Sequence, residues 1–140
     1  MIEFISDIGF ELTNQQEVSK WIEDVIQRRG YELGEVLYTF CDDQQLLKMN
    51  REFLNHDTYT DIISFDYTLG KQIHGEIFIS VDRVRENAEK FKATFDDELH
   101  RVIIHGILHY CGLKDKTKKE QEAMREAENK ALSARGFVKR

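Results

Sequence analysis

His105 and His109 stand one helical turn apart in the segment HGILHYCGLKD, and Asp115 follows six residues later. At i,i+4 spacing, two imidazoles on one face of a helix reach a single metal ion. Gly112 lies between His109 and Asp115, so the helix can end there and the chain can turn back to bring the carboxylate to the same ion. Two nitrogens and one oxygen leave a coordination position open, which is the pattern of a catalytic metal rather than a closed structural one. An ion held in this way acidifies water and polarises a phosphoryl or carbonyl oxygen, so the chemistry in prospect is hydrolysis. In peptidases of the H-E-x-x-H type a glutamate after the first histidine is the general base, and here that position is Gly106. The competing account of the pair is two hydrogen-bonded core histidines.

The surroundings of the pair admit either account. At 100° per residue, Glu98, Arg101, His105 and His109 fall within about 80° of one another, while Leu99, Ile103, Ile104, Ile107 and Leu108 fill the remaining circumference. A helix apolar nearly all round is buried, and a polar stripe on it needs partners or a ligand. Cys111 points away from the stripe and reads as a small core residue, as does Cys41 in a strand. His74 and His100 lack ligand spacing and read as structural or exposed.

The helix that carries the pair runs from Thr94 to Gly112, with a start resembling a capping box in which Glu98 follows Phe95-Asp96-Asp97. Upstream, Ile2, Phe4 and Ile5 open a short strand, and Val18, Trp21, Ile22, Val25 and Ile26 give a helix that Gly30 ends. In GEVLYTFC, Val36, Tyr38 and Phe40 alternate against Leu37, Thr39 and Cys41, which marks a strand. Asp42-Asp43 then cap a helix through Leu54, and DIISFDY and HGEIFIS form a hairpin across TLGKQ. Ser80 or Asp82 caps a helix in DRVRENAEKF, and KKEQEAMREAENKALSARGF forms a last helix with Gly136 as its stop. The expectation is one α+β domain over 1–140, with about four strands in a small mixed sheet, about five helices, and a zincin-like metal-bearing central helix.

Three ordered segments carry a family resemblance. HGILHYCGLKD resembles H-G-x-L-H-x-x-G-x-D-H, the signature of the YbeY family of metal-dependent endoribonucleases that mature ribosomal RNA. NREFLNHDTYTDIISF resembles that family's N-x-x-(Y/F)…D-x-x-T-D-V-L-S-F segment, and GEIFIS its G-D-I-x-I strand. The resemblance implies a zinc-dependent, single-strand-specific endoribonuclease acting on small-subunit (16S) ribosomal RNA, with the ribosome or small-subunit proteins as partners. The family's third ligand is usually histidine and here is Asp115, with Lys114 where aspartate is usual; Leu54 occupies the place of an arginine many members carry. Arg101, one turn before His105, is the candidate to act in its stead, against the alternative of a salt bridge to Glu98 or Asp97. His56 occupies a loop position often basic in the family and is a candidate RNA contact. Asp61 and Ser64 match the middle segment, where strand entry and packing are the favoured roles. A zincin-like metallopeptidase and a non-catalytic zinc-containing ribosome-binding module are the rival functions.

Composition bounds these readings. Twenty basic and twenty-six acidic residues give a net charge of −6, which taken whole disfavours an RNA partner. The charge is unevenly spread. Residues 1–112 hold eleven basic and twenty-one acidic side chains, whereas residues 113–140 hold nine basic and five acidic. Lys114, Lys116, Lys118 and Lys119 flank Asp115 as a candidate phosphate-binding rim, and Arg135, Lys139 and Arg140 close the chain. Two cysteines and an acidic start without a secretory pattern point to the cytoplasm. No apolar run approaches membrane-spanning length, so no membrane partner is expected.

Overall fold

A computed structural model describes residues 1–138; Lys139 and Arg140 of the basic terminus lie outside the described residues. Its order is β1 (Ile2–Ser6), α1 (Gln15–Arg28), β2 (Glu32–Cys41), α2 (Asp43–Leu54), β3 (Ile62–Asp66), β4 (Gln72–Ser80), α3 (Val81–Lys90), α4 (Phe95–Tyr110) and α5 (Lys118–Ser133). These four strands and five helices make the α+β fold expected from the pattern. The sheet order is β1-β2-β4-β3, with β1 parallel to β2, β2 parallel to β4, and β3 antiparallel to β4 as the hairpin required.

Strand periodicity divides the sheet into two faces. Val36, Tyr38 and Phe40 of β2 and Ile73, Ile77 and Ile79 of β4 point into the main core with α1, α3, α4 and α5. On the opposite face α2 lays Leu46 over Cys41 and Ile63, with Phe65 and Phe78 beside them. The central helix α4 therefore lies against the inner face, and two glycines allow its close approach. A Cβ at Gly106 would come 2.9 Å from Ile77 Cδ1 and 3.2 Å from Ile62 Cδ1; one at Gly75 would stand within 2.6 Å of the Tyr110 ring. Tyr110 uses that space to place its hydroxyl at 2.9 Å from the Phe65 carbonyl and 3.1 Å from that of Glu76.

Two boundaries differ from expectation, the start of α4 and the end of α5. The side chain of Thr94 accepts from the Asp97 amide, so Glu98 lies one residue beyond the capping position and is buried instead. The reciprocal capping box belongs to α5, where Thr117 and Glu120 satisfy each other's backbone amides. That helix ends at Ser133 rather than running to Gly136. Arg135 turns inward, donating to the Leu132 carbonyl, to His100 Nδ1 at 2.7 Å and to Asp97 at 2.9 Å. Of the two proposed caps for α3, Ser80 serves. No helix among the described residues is long and apolar enough to cross a membrane.

Candidate metal centre

The polar stripe of α4 faces α5, and the turn that ends α4 builds the rest of the site. Gly112 takes φ 97°, its amide donates to the His109 carbonyl at 3.0 Å, and the Leu113 amide donates to the Leu108 carbonyl at 3.1 Å. This is a Schellman closure, which needs a residue free to adopt positive φ. It directs the chain back along the helix and points the Leu113 carbonyl at His109 Nδ1, 3.0 Å away. Two residues further, Asp115 Oδ2 stands 3.3 Å from both His105 Nε2 and His109 Nε2, and the two nitrogens are 3.0 Å apart.

Hydrogen bonding on the far side of each ring fixes what these three atoms offer. A backbone carbonyl can only accept, so His109 carries its proton on Nδ1 and presents a lone pair at Nε2. The Nδ1 of His105 donates to Glu128 Oε2 at 2.7 Å, which leaves its Nε2 facing the same point. Two imidazole lone pairs and a carboxylate oxygen thus converge within 3.3 Å of one another. One proton could satisfy a single contact of the three; a dication satisfies all. Two ligands at tetrahedral angles on an ion with bonds of about 2.0–2.1 Å stand about 3.3–3.4 Å apart. The donor set therefore fits zinc, and these three side chains form a potential metal-binding cluster.

Glu128 supports this cluster from α5 and was not singled out in the sequence. It is 5% exposed, and its other oxygen accepts from Arg101 at 2.9 Å, with Arg125 at 3.7 Å. Burial would raise its pKa, but the hydrogen bonds from His105 and Arg101 win and lower it. Burial pulls the His105 imidazole down, and the bond and charge of Glu128, with Asp115 and Asp61, more than reverse that. Carboxylate–histidine pairs of this kind fix the tautomer and raise ligand basicity. The signal was available: Glu128 shares a face of α5 with Met124, Ala127, Ala131 and Leu132, where a charged residue needs a partner.

The other sequence candidates divide. Arg101 also donates to Asn129 at 2.8 Å, so its guanidinium is engaged with α5 rather than with Glu98 or Asp97. Asp61 enters β3 as expected, its carbonyl accepting from Ser80. Its carboxyl also lies close enough to His105 to feel its charge, and burial pushes its pKa up. Lys118 lines an open cleft of about 730 Å³ with His105, Asp115, Gln121, Arg125 and Asn129. Lys114, Lys116 and Lys119 are exposed around Asp115 without lining it, and His56 is exposed on the loop after α2, away from the cleft. Cys41 and Cys111 are buried. His100 packs against Trp21 and Phe137, and His74 bonds to the Glu35 amide and Gln72.

Comparison with known proteins agrees with this geometry. The family model described as Endoribonuclease YbeY matches residues 6–136. A relative of that name from Flavobacterium psychrophilum is 51% identical over 132 residues, 94% of each chain. Another from Bacteroides thetaiotaomicron is 55% identical over 121 residues, 86% of this chain and 88% of its own. The solution structure of a Thermotoga maritima protein shares the fold with a TM-score of 0.64 at 24% identity, each chain covered in full.

Proposed function

The chain belongs to the YbeY endoribonuclease family, and from that premise we propose that it cleaves single-stranded ribosomal RNA at a zinc ion held by His105, His109 and Asp115. The observation that carries the proposal is the convergence of three lone-pair donors, with the two imidazoles oriented from behind by Glu128 and the Leu113 carbonyl. His105, His109 and Asp115 would hold the zinc, which would supply Lewis acidity toward a phosphoryl oxygen and acidify water. Glu128 keeps the proton of His105 on Nδ1, and Arg101 holds Glu128 in place through its other oxygen. Lys118, at the cleft wall, and Lys114, Lys116 and Lys119 around it bind backbone phosphates and orient the strand. His56, on its separate loop, contacts RNA further along. The setting is the cytoplasm, in maturation and quality control of small-subunit 16S RNA, where the ribosome or its proteins present the strand.

One preparation tests this, analysed for metal and assayed on labelled single-stranded ribosomal RNA beside His109→Ala and Asp115→Ala. We expect one zinc per chain, lost in both variants. Cleavage should fall by more than the roughly 10–100-fold that loss of a supporting partner costs. Metal-free protein that cleaves as well, or variants with undiminished cleavage, overturns the proposal. A variant-sensitive metal with RNA binding and no hydrolysis returns the non-catalytic module.

A further inference from the structure

The cleft beside His105 is poor in positive charge for a site that takes RNA. Asp115, Glu122, Glu126 and Glu128 line it against only Lys118 and Arg125. Bound zinc would no more than balance the two extra carboxylates, so phosphates of the flanking strand need cations elsewhere. A concentration of them lies on the other side of α5. There Trp21 of α1 donates from Nε1 to the Ala131 carbonyl at 2.8 Å, and the two helices border a groove of about 430 Å³. Val25, Leu108, Ala127, Ala131 and Ala134 form its apolar floor, and the exposed Arg28, Arg29 and Lys130 form its rim. No aspartate or glutamate lines it among the described residues, and none of the three cations is in an ion pair with a described residue. Asp24, one turn before Arg28, lines the adjoining hollow instead.

Basic residues in the last turn of a helix ordinarily offset its macrodipole, and Arg28 and Lys130 hold such places in α1 and α5. Each helix end carries about half a negative charge, so three full cations leave an excess of about two. This charge continues toward the metal loop. Tyr31 follows Arg29 by two residues, and Lys71 Nζ stands 4.2 Å over its ring. A Cβ at Gly112 would lie 3.6 Å from the Tyr31 hydroxyl, which sets Tyr31 beside the turn that leads to Lys114 and Asp115. Across α5 the groove and the cleft are separated by the width of one helix, about 10–12 Å. Ala127, Lys130 and Ala131 face the groove, whereas Arg125, Glu128 and Asn129 face the cleft. A strand that leaves the cleft therefore meets unpaired cations within a short span, and this continuity favours RNA over an acidic peptide as the occupant.

We propose that the groove between α1 and α5 is a second anchoring site for single-stranded RNA, in which Arg28, Arg29 and Lys130 hold phosphates of the strand flanking the cleft. This rests on the reading of the chain as a ribonuclease. The probe is a fluorescent 2′-O-methyl oligouridylate hexadecamer, with a glutamate–leucine octapeptide as the acidic-peptide control. Binding is followed by anisotropy and by amide shifts of the full-length protein. We expect the hexadecamer to move amides of residues 25–31 and 127–134 as well as those of the metal loop. In Arg28→Gln/Arg29→Gln/Lys130→Gln its affinity should fall at least about tenfold at low salt, and the log–log salt slope should drop by about 2, at about 0.7 per phosphate contact. Lys48→Gln/Lys90→Gln/Lys92→Gln, on α2 and the end of α3, removes the same charge and should bind as the unmodified protein does. Urea unfolding reports whether each variant is folded, and the amide shifts of the unmodified protein decide the matter without either variant. Equal binding by both triple variants, or shifts confined to the metal loop, overturns the proposal. So does a peptide that moves the same amides at lower concentration than the RNA, since it makes an acidic segment the occupant. Hexadecamer binding in the groove by a preparation that cleaves no RNA would sink the ribonuclease reading alone; cleavage with affinity unmoved by the Arg28, Arg29 and Lys130 substitutions would sink the groove alone.

Discussion

Glu128→Gln removes one charge and preserves the side chain's shape, which makes it a sharp probe of how His105 is oriented. The carboxylate accepts from His105 at 2.7 Å with one oxygen and from Arg101 at 2.9 Å with the other. An amide has a single acceptor oxygen, so one bond must fail. With its oxygen toward His105, its NH2 faces the guanidinium, donor against donor. With its NH2 toward His105, the ring must move its proton to Nε2, the atom that faces His109 and Asp115, and it ceases to be a ligand. Either arrangement weakens the site, and loss of such a partner costs metal affinity about 10–100-fold, or about 1.4–2.7 kcal/mol. Competition against a chromophoric zinc chelator measures this, with urea unfolding in excess chelator reporting the apo fold. Arg101→Gln leaves the Glu128–His105 bond in place and should cost less. Zinc affinity within twofold of the unmodified protein in Glu128→Gln, or the reverse order of the two variants, refutes the reasoning.

Replacing Lys114, Lys116, Lys118 and Lys119 by alanine should weaken single-stranded RNA binding and flatten its log–log salt dependence by up to about 3, at about 0.7 per phosphate contact; an unchanged slope removes these lysines from the interface. Gly75→Ala pushes a methyl into the Tyr110 ring and takes its hydroxyl off the Phe65 and Glu76 carbonyls. It should cost about 2–4 kcal/mol in urea unfolding, while Gly136→Ala, whose Cβ meets open space, should be near neutral. His100 is held down to about 4 by burial and by Arg135. The unfolded chain therefore binds the extra proton first, and the stability His100 contributes is complete above about 6.5 and lost as pH falls toward 4, about 3 kcal/mol in all. Burial raises Asp61 and Glu98, which act with the opposite sign, so the readout is the difference from His100→Gln, and parallel curves between pH 7 and 4 would contradict the assignment.

What could be read in the sequence was whatever a local period or spacing encodes. The stripe on α4, the turn at Gly112 and the convergence of His105, His109 and Asp115 all follow from 3.6 residues per turn and one glycine. The same counting fails by one residue at Thr94, where the third position is Asp97, and succeeds at Thr117, whose third position is Glu120. Long-range features were not encoded in that way. Helical spacing sets Glu128 apart from Glu122 and Glu126 by its apolar neighbours, but its partners His105 and Arg101 come into view only when α5 is laid against α4, and the end of α5 is set by Arg135 reaching His100 and Asp97 across the core. The parallel pairing of β1 and β4 with β2 depends on crossovers that no short window contains.

The residue after His105 bears on the substrate as well as on packing. Gly106 faces Ile77 and Ile62 so closely that even a methyl at this position would crowd them. A glutamate there would have to carry its carboxylate past two isoleucines, with an uncompensated charge if it stayed among them. The seating of α4 therefore works against the general base of the H-E-x-x-H peptidases at this place, in addition to its absence from the sequence. The carboxylates near His105 come from other elements instead: Asp115 among the ligands, Glu128 tied to His105 and Arg101, and Asp61 at the entry to β3. Among the described residues Asp61 alone of these forms no ion pair, so its carboxyl is the one of the three not already committed to a ligand or a cation. Asp61→Asn should then lower RNA cleavage while leaving zinc content intact, which separates it from the ligands. Equal loss of zinc and activity would instead make Asp61 part of the scaffold that seats His105.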